Sequence, residues 1–504
     1  MHAITLLTYY LCKENAQASS FVCNQVMRIN RVSILYFMAK KINPKIIRQV
    51  TIGNPTDEGK CLAYCEGQVI FVEQVAPGDI ADIMLTKQKK GYAEAVLHYL
   101  HKPSPSRATP FCQHFGVCGG CQWQHIDYLS QLQAKEQLVK EKLMHIGKLS
   151  NPPVAPIIAA KTTQYYRNKL EFTFSTKRWL TASEIQSAAL LDRNALGFHK
   201  AKFFDKIVAI DHCYLQPDPS NPIRLAIKEF AQAQGFSFYD FQQQQGLLRN
   251  LIIRTTSTHE VMVIVQFGEP NQAQINQMMA HIQHQFPTLT SLQYVVNTKP
   301  NETFYDLPVH CYTGKPYILE KIGDLQWQIG PKSFFQTNTT QAQVLFEHIL
   351  DLANLQGHEL VYDLYTGVGS IAHFLATKAK YVVGLELIAG AIEDAKTNAR
   401  LNQLANVSFQ VGDIRSLLNE QLVATYGQPD LIVVDPPRAG MHPEVIKQLL
   451  AIAPEKIIYV SCNPATQARD IVCLKEHYQL QKAQPIDLFP HTHHIENIAL
   501  LVKN

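Results

Sequence analysis

The apolar positions divide the chain into three textures. After Ser333, short continuous apolar runs, among them "ELVYDL", "YVVGLEL", "VSFQV", "PDLIVVD" and "KIIYVS", alternate with helix-forming stretches such as "AIEDAKTNARLNQ". Strands recurring between helices predict a mainly parallel, doubly wound α/β sheet. From about Phe111 to Gly330, strand runs such as "KLEFTFS" and "LIIRTTSTHEVMVIVQF" mix with the helix "LSQLQAKEQLVKEKLMHI", which is α+β in character. From Ile46 to His101 the runs are shorter and broken by glycine. "EGQVIFVEQVAPGD" reads as strand, turn, strand, and the spacing suits a small five-stranded barrel of the oligonucleotide-binding kind. A proline- and serine-rich linker, "HKPSPSRATP", closes that unit. The expected units are an extension over 1–43, a barrel over 44–102, a central α+β domain over 103–332 and a doubly wound domain over 333–504.

The extension carries apolar runs, but Lys13, Glu14 and Asn15 interrupt them well short of the ~18 apolar residues a membrane helix needs. Met38 opens the basic stretch "MAKKINPKIIRQ", and we expect the true start there. Composition changes this picture little. With 504 residues, 46% hydrophobic and 17% charged, the chain is long enough for about three ordinary globular domains. A net charge of +4 permits a polyanionic partner without requiring one. Eleven cysteines, unevenly spread and without a secretion signal, favour a reducing cytoplasm over a disulfide framework.

The chemistry concentrates where the predicted parallel strands end. "VYDLYTGVGSIA" places an acid and a glycine turn between strand and helix, and "VVGLELI" ends the next strand at Glu386, where a carboxylate can hold ribose hydroxyls. Two further strands end in Asp413 and Asp435. The turn lacks the full dinucleotide fingerprint, so S-adenosylmethionine, which has no pyrophosphate to cradle, fits better than NAD. "VVDPPRAG" stiffens the loop after Asp435 and offers Arg438 to an anionic substrate. In "IIYVSCNPATQARD" the apolar strand halts at Ser461, and Cys462 is fixed at its lip by Pro464. Packing is the plain explanation of a lone cysteine, but this one projects over the same strand ends. "DLFPHTHHIENIALL" brings His491, His493, His494 and Glu496 before the last strand. The histidine spacing makes a poor metal cage, whereas a glutamate facing Cys462 is useful as a base.

A second cluster lies upstream. Cys112, Cys118 and Cys121 form C-x5-C-x2-C around Gly119 and Gly120, and three thiolates call for a fourth partner. Spacing alone leaves a cluster and a structural zinc ion both open. Cys12, Cys23, Cys61, Cys65, Cys311 and Cys473 read as packing or surface residues. Lys87, Lys89 and Lys90 edge the barrel, and "YYRNKLEF" (165–172) and "GLLRNLIIR" (246–254) combine arginine, asparagine and aromatics as RNA-facing strands do.

Taken together, "FFQTN", "DLYTGVGS", "DPPRAG", "SCNPATQARD" and "PHTHHIEN" resemble, in order, the motifs of the RNA 5-methyluridine (uracil-C5) methyltransferase family. "FCQHFGVCGGCQWQHIDYLSQLQAKE" is similar to the iron–sulfur segment of its 23S ribosomal RNA branch, and the barrel resembles the TRAM domain preceding it. The resemblance implies a Rossmann-like methyltransferase domain, Cys462 as nucleophile and Glu496 as base. It implies that Gln336, Tyr365, Glu386 and Asp435 contact S-adenosylmethionine, and that Cys213 joins Cys112, Cys118 and Cys121 as ligands of a [4Fe-4S] cluster, with zinc the alternative. The implied reaction is C5 methylation of a uridine in 23S ribosomal RNA or a precursor ribosomal particle, by a cytoplasmic monomer with no obligate protein partner and no membrane. A transfer-RNA substrate, cytosine-C5 methylation and a non-catalytic ribosome-assembly factor are the competing readings.

Overall fold

The computed structural model describes residues 45–187 and 191–504; the expected extension and the start at Met38 lie outside them. The barrel is built from β1 (Ile46–Thr51), β2 (Cys61–Cys65), β3 (Gln68–Glu73), β4 (Ile80–Gln88) and β5 (Tyr92–Lys102), in the order β1-β4-β5-β3-β2. Its core is small and aliphatic, with Ile70, Val72, Ala81 and Ile83 fully buried. The central sheet holds β6 (Lys169–Ser175), β7 (Ala195–His199), β8 (Ile207–Ala209), β9 (Leu248–Thr255), β10 (Val261–Phe267), β11 (Ser291–Val296) and β12 (His310–Gly314), in the order β12-β11-β10-β9-β6-β7-β8. β9 and β10 are buried along their whole length, which is why their text does not alternate; β10 is almost wholly apolar, whereas β9 takes Arg249, Asn250 and Arg254 into the interior with it.

A hairpin, β13 (Ile318–Ile322) and β14 (Leu325–Ile329), precedes the catalytic sheet. That sheet comprises β15 (Leu360–Leu364), β16 (Tyr381–Glu386), β17 (Val407–Val411), β18 (Leu431–Val434), β19 (Lys456–Ser461), β20 (Tyr478–Ile486) and β21 (Glu496–Lys503), ordered β17-β16-β15-β18-β19-β21-β20. β15 to β19 pair in parallel; β21 runs antiparallel between β19 and β20. The strand order reverses at β15 and β18, so a crevice opens at their carboxyl ends. Among the described residues no helix is long and apolar enough to cross a membrane.

Two expected boundaries do not follow the packing. The hairpin packs in one core with both neighbours: Ile318, Ile322, Trp327 and Ile329 join Val361, Leu375 and Ala395 of the catalytic unit and Ile252, Met262 and Ile264 of the central sheet, so the packing does not divide at 333. The helix Tyr128–His145, expected to belong to the central domain, lies instead against the catalytic sheet. Val139 and Leu143 join the core that holds Tyr459 and Leu474, and the following segment bridges β20 through Val154 with Ala483 and Ile158 with Ile486. Polar side chains explain why text alone misplaces it. Gln131 and Lys135 sit one turn apart on the helix face that also buries Leu138 and Val139, and both are fully buried.

Each has a partner more than 350 residues away. Lys135 Nζ donates to Asp487 Oδ1 at 2.7 Å and to the Phe489 carbonyl at 3.1 Å; Asp487 also accepts from Tyr128 Oη and the Phe489 amide. Gln131 donates to the Trp123 and Ile126 carbonyls and accepts the His491 amide. A buried charge left without its partner costs about 3–5 kcal/mol. Lys135→Met is therefore expected to lower the unfolding free energy by about that amount, and urea unfolding followed by far-ultraviolet circular dichroism measures it.

Candidate active site and cysteine cavity

Local sequence sets each side chain at the crevice. β15 buries Asp363 completely, and the Thr366 hydroxyl donates to its Oδ2. The chain then turns through Tyr365 (φ 64°) and Gly367 to Gly369 (φ 80°), which starts the helix Ser370–Ala376. A Cβ on Gly369 would stand 2.8 Å from the His373 ring, so glycine is required there twice over. Glu386 ends β16 and spans the turn: Oε2 accepts the Gly367 amide at 3.2 Å and Oε1 the Ile388 amide at 2.9 Å. Asp435 follows β18, its amide bonded to the Leu364 carbonyl. Burial pushes the Asp435 carboxyl up to about 7, and burial also holds Asp363 at about 7, with Asp435 and Glu386 adding to the effect. Asp413 differs: Arg415 and its own loop amide hold its carboxyl down to about 2.

Cys462 stands where β19 gives way to the helix Pro464–Leu474. Asn463 caps that helix by accepting the Ala465 amide and donates to the Arg438 carbonyl at 3.0 Å, tying the cysteine turn to the Asp-Pro-Pro-Arg loop. Pro464 takes the first helical position, where no amide donor is missed. Glu496 opens β21, one residue before the Ser461–Asn497 pair, and so comes beside Cys462. Cys462 is half-buried and Glu496 is buried. Burial pushes the thiol up to about 11, with Glu496 and Asp435 adding to the rise and Arg438 opposing it. Burial and the Asp435 charge hold the Glu496 carboxyl well above the usual range; Arg438 again opposes. The exposed Arg438 guanidinium donates to His494 Nδ1 at 3.3 Å. Packing therefore does not explain Cys462: it belongs to a thiol, carboxylate and guanidinium group at the crevice mouth.

Tyr365, Glu386 and Asp435 are brought together at the ends of β15, β16 and β18. Gln336 stands on the loop before the helix Thr339–Ala353 and, among the described residues, makes no hydrogen bond to those three. Its loop is held firmly: Asn168 donates to the Gln336 carbonyl at 2.9 Å and Asn338 to the Leu488 carbonyl at 2.9 Å. Asp363, the acid of the first strand, was visible in the motif but not assigned a role; it underpins the turn from below.

The four cysteines Cys112, Cys118, Cys121 and Cys213 all line one cavity of about 330 Å³, together with Arg167, Thr337 and Thr492. Burial raises all four thiols, Cys118 and Cys121 to about 12, and neighbouring cysteines add to the rise in Cys118, Cys121 and Cys213. A ligand that takes thiolates would relieve that cost. Among the described residues no three His, Cys, Asp or Glu side chains are gathered closely enough to hold a single metal ion. Thr337 and Thr492 place this cavity directly behind the Gln336 loop and the loop leading to Glu496.

The arginine-rich segments divide. In the first, Tyr165 is exposed and Arg167 packs over the Phe489 ring at 5.7 Å. In the second, the RNA-facing expectation fails. Arg249 donates to the carbonyls of Asn297, Lys299 and Pro300, and Arg254 to that of Ser333, all from the interior.

Comparison with known proteins gives this arrangement a family. Residues 320–504 match the tRNA (Uracil-5-)-methyltransferase family and residues 47–97 the TRAM domain. An RNA methyltransferase of Bacteroides thetaiotaomicron is 48% identical over 448 residues, covering 88% of this chain and 99% of its own. One from Porphyromonas gingivalis is 46% identical, covering 89% and 98%. Among solved structures, the Pyrococcus abyssi tRNA (uracil-54, C5)-methyltransferase in complex with S-adenosyl-L-homocysteine aligns with a TM-score of 0.69 at 28% identity, over 90% of this chain and all of that one.

The electrostatics of Cys462 are open to direct test. Below its pKa a thiol loses a factor of ten in thiolate per pH unit. Iodoacetamide alkylation of Cys462 in the ligand-free protein, mapped by mass spectrometry, is expected to climb about tenfold per unit from pH 7 towards 10. Glu496→Gln removes a negative neighbour and should shift the profile to lower pH; Arg438→Ala removes the positive one and should shift it higher.

Proposed function

Because the chain belongs to the RNA methyltransferase family of these relatives, with a TRAM domain ahead of a uracil-5-methyltransferase catalytic domain, we propose that it methylates C5 of a uridine in 23S ribosomal RNA, free or within a precursor particle. The observation that carries the chemistry is the placement of Cys462 beside Glu496 and Arg438 at the mouth of a crevice edged by Glu386 and Asp435. The resemblance of its cysteine segment to that of the ribosomal branch favours ribosomal RNA. A transfer-RNA substrate is the second reading, favoured by the alignment of nearly the whole chain with a tRNA-acting enzyme. That alignment means that barrel and cysteine segment do not by themselves separate the two substrates.

Gln336, Tyr365, Glu386 and Asp435 would hold S-adenosylmethionine, with Glu386 suited to the ribose hydroxyls. When bound, it supplies the methyl group that uracil C5 takes up. The protein's own part begins with the Cys462 thiolate, which adds to C6 and moves the displaced electron pair onto the ring as an enolate, making C5 nucleophilic. After methylation, Glu496 takes the C5 proton. The electron pair of that C–H bond restores the C5–C6 double bond as the C6–S bond breaks, and Cys462 leaves as a thiolate. Arg438 offsets negative charge at both groups, and a Glu496 carboxyl raised by burial is a competent base when it ionises. The uracil must reach this depth unstacked, so the base is flipped out or already unpaired.

Cys112, Cys118, Cys121 and Cys213 would hold a [4Fe-4S] cluster, for which a four-thiol cavity is suited. Such a group would supply structural cohesion between the cysteine segment and the two catalytic loops behind it. Anaerobically purified protein is expected to contain iron and acid-labile sulfide in equal amounts; stoichiometric zinc without sulfide would assign the cavity to a zinc ion. For the reaction, incubation with S-adenosylmethionine and 5-fluorouridine-substituted 23S fragments or transfer RNA should yield a denaturation-resistant adduct mapped to Cys462, because fluorine blocks the final proton removal. Cys462→Ser should give no adduct and no methylation. An adduct with transfer RNA alone would replace the ribosomal substrate with the second reading.

A further inference from the structure

A groove on the far side of the cysteine loop is not used by any step above. Its floor is Phe198, Phe241 and Pro300; Gly119 and Gly120 of the cysteine loop form one wall, and the turn between β7 and β8 forms the other, enclosing about 790 Å³. That turn reads "HKAKFFDK", lysines interleaved with two phenylalanines. Phe204 is 70% exposed and Phe203 46% exposed, and Lys202 holds a left-handed backbone (φ 72°) between Lys200 and the rings. Two adjacent phenylalanines facing water at a strained turn contribute nothing to the core, so their surface is spare binding area.

The charges around the groove identify what it suits. Lys200 and Lys206 form no ion pair among the described residues, and Lys202 reaches back to Glu73 of the barrel at 2.5 Å. The one acid in the groove wall, Glu302, is engaged by Asn250 at 3.2 Å. Exposed aromatic faces rimmed by lysines match the base and phosphate of single-stranded nucleic acid, which binds by stacking and backbone attraction with little sequence preference. Phe198 and Gly120 line the cysteine cavity as well, and that cavity is also lined by Thr337 and Thr492. The groove and the cysteine cavity are thus the two flanks of one cysteine loop, and the cavity in turn meets the loops of Thr337 and Thr492 that lead to Gln336 and Glu496.

We propose that this groove binds unpaired nucleotides flanking the target uridine, stacked on Phe204 and held by Lys200 and Lys202. The inference rests on an RNA substrate as read above, but not on which RNA or on turnover. The test is binding of fluorescein-labelled oligouridylate, by anisotropy, to the full chain, alongside the fluorescence of Trp179, whose ring lies 5.5 Å from that of Phe203. Phe204→Ala should weaken binding about tenfold, the loss of roughly one stacked base, and abolish the Trp179 quenching that oligouridylate causes. Phe204→Tyr should retain both, and Lys202→Ala should flatten the salt dependence. Unchanged affinity and quenching in Phe204→Ala, with melting temperature preserved, would overturn the groove. If the parent protein binds oligouridylate through Phe204 yet transfers no methyl group to any RNA, the groove stands and the proposed function falls.

Discussion

The contact on which the rest of the molecule depends is the buried pair between Lys135 and Asp487. It fastens the helix Tyr128–His145 to the loop that leaves β20, and that loop carries both walls of the site. One end turns through His491, whose carbonyl accepts the amides of Gln122 and Trp123 from the cysteine segment; the other delivers Glu496 to the start of β21. Neither charge is exposed, and Tyr128, Phe489 and their backbone satisfy the remaining valences, so the pair has no low-energy alternative in water. A buried pair of this kind adds little net stability over apolar residues, but it fixes one register of helix against loop. That register decides where the glutamate sits relative to the cysteine.

The barrel is held to the same place. Trp123 donates to the Gly59 carbonyl at 3.0 Å, Lys142 pairs with Asp57 at 2.8 Å, and a Cβ on Gly59 would come within 2.9 Å of His493. The loop between β1 and β2 therefore presses on the histidine run next to Glu496. Burial holds His491 and His494 at about 4 and about 3, so at ordinary pH this run is neutral and Arg438 is the positive group facing Cys462. An RNA-binding barrel seated there is part of the active-site wall as well as an arm.

Much of this was legible in the text, and the illegible part has a common cause. Strand-end acids, the glycine turn and the Ser-Cys-Asn-Pro lip are local signals, because strand, turn and cap are encoded within a few residues. Gln131, Lys135, Arg249 and Arg254 were not legible. Each is a polar residue in a segment whose neighbours give no hint of burial, and each has a partner remote in sequence, the His491 amide for Gln131 and carboxylates or carbonyls for the others. The two arginines on β9 read as an RNA face for that reason; the structure spends them on joining β9 to the loops after β11 and β14. The central-to-catalytic boundary slipped for a related reason. A hairpin and a helix that look like central-domain elements bury their apolar faces in the catalytic core, and amphipathic periodicity says that a face is buried without saying against what.

The electrostatics at the strand ends set a constraint on the order of events. Asp363, Asp435, Glu496 and the Cys462 thiol all have their ionisation opposed by burial, and several oppose one another; Arg438 is the facing cation. Ionising the thiol and the glutamate together in the empty crevice is therefore unfavourable, which keeps Cys462 a thiol in the absence of ligands. A cationic methyl donor beside Asp435 would change that balance in favour of thiolate, since an added positive charge lowers the pKa of every acid around it. In the reaction proposed above, a thiolate spent in a bond to carbon would no longer place its charge beside Glu496, and the carboxylate would be free to ionise for the C5 proton. On that reading the same carboxylate that hinders attack would be released to complete the reaction.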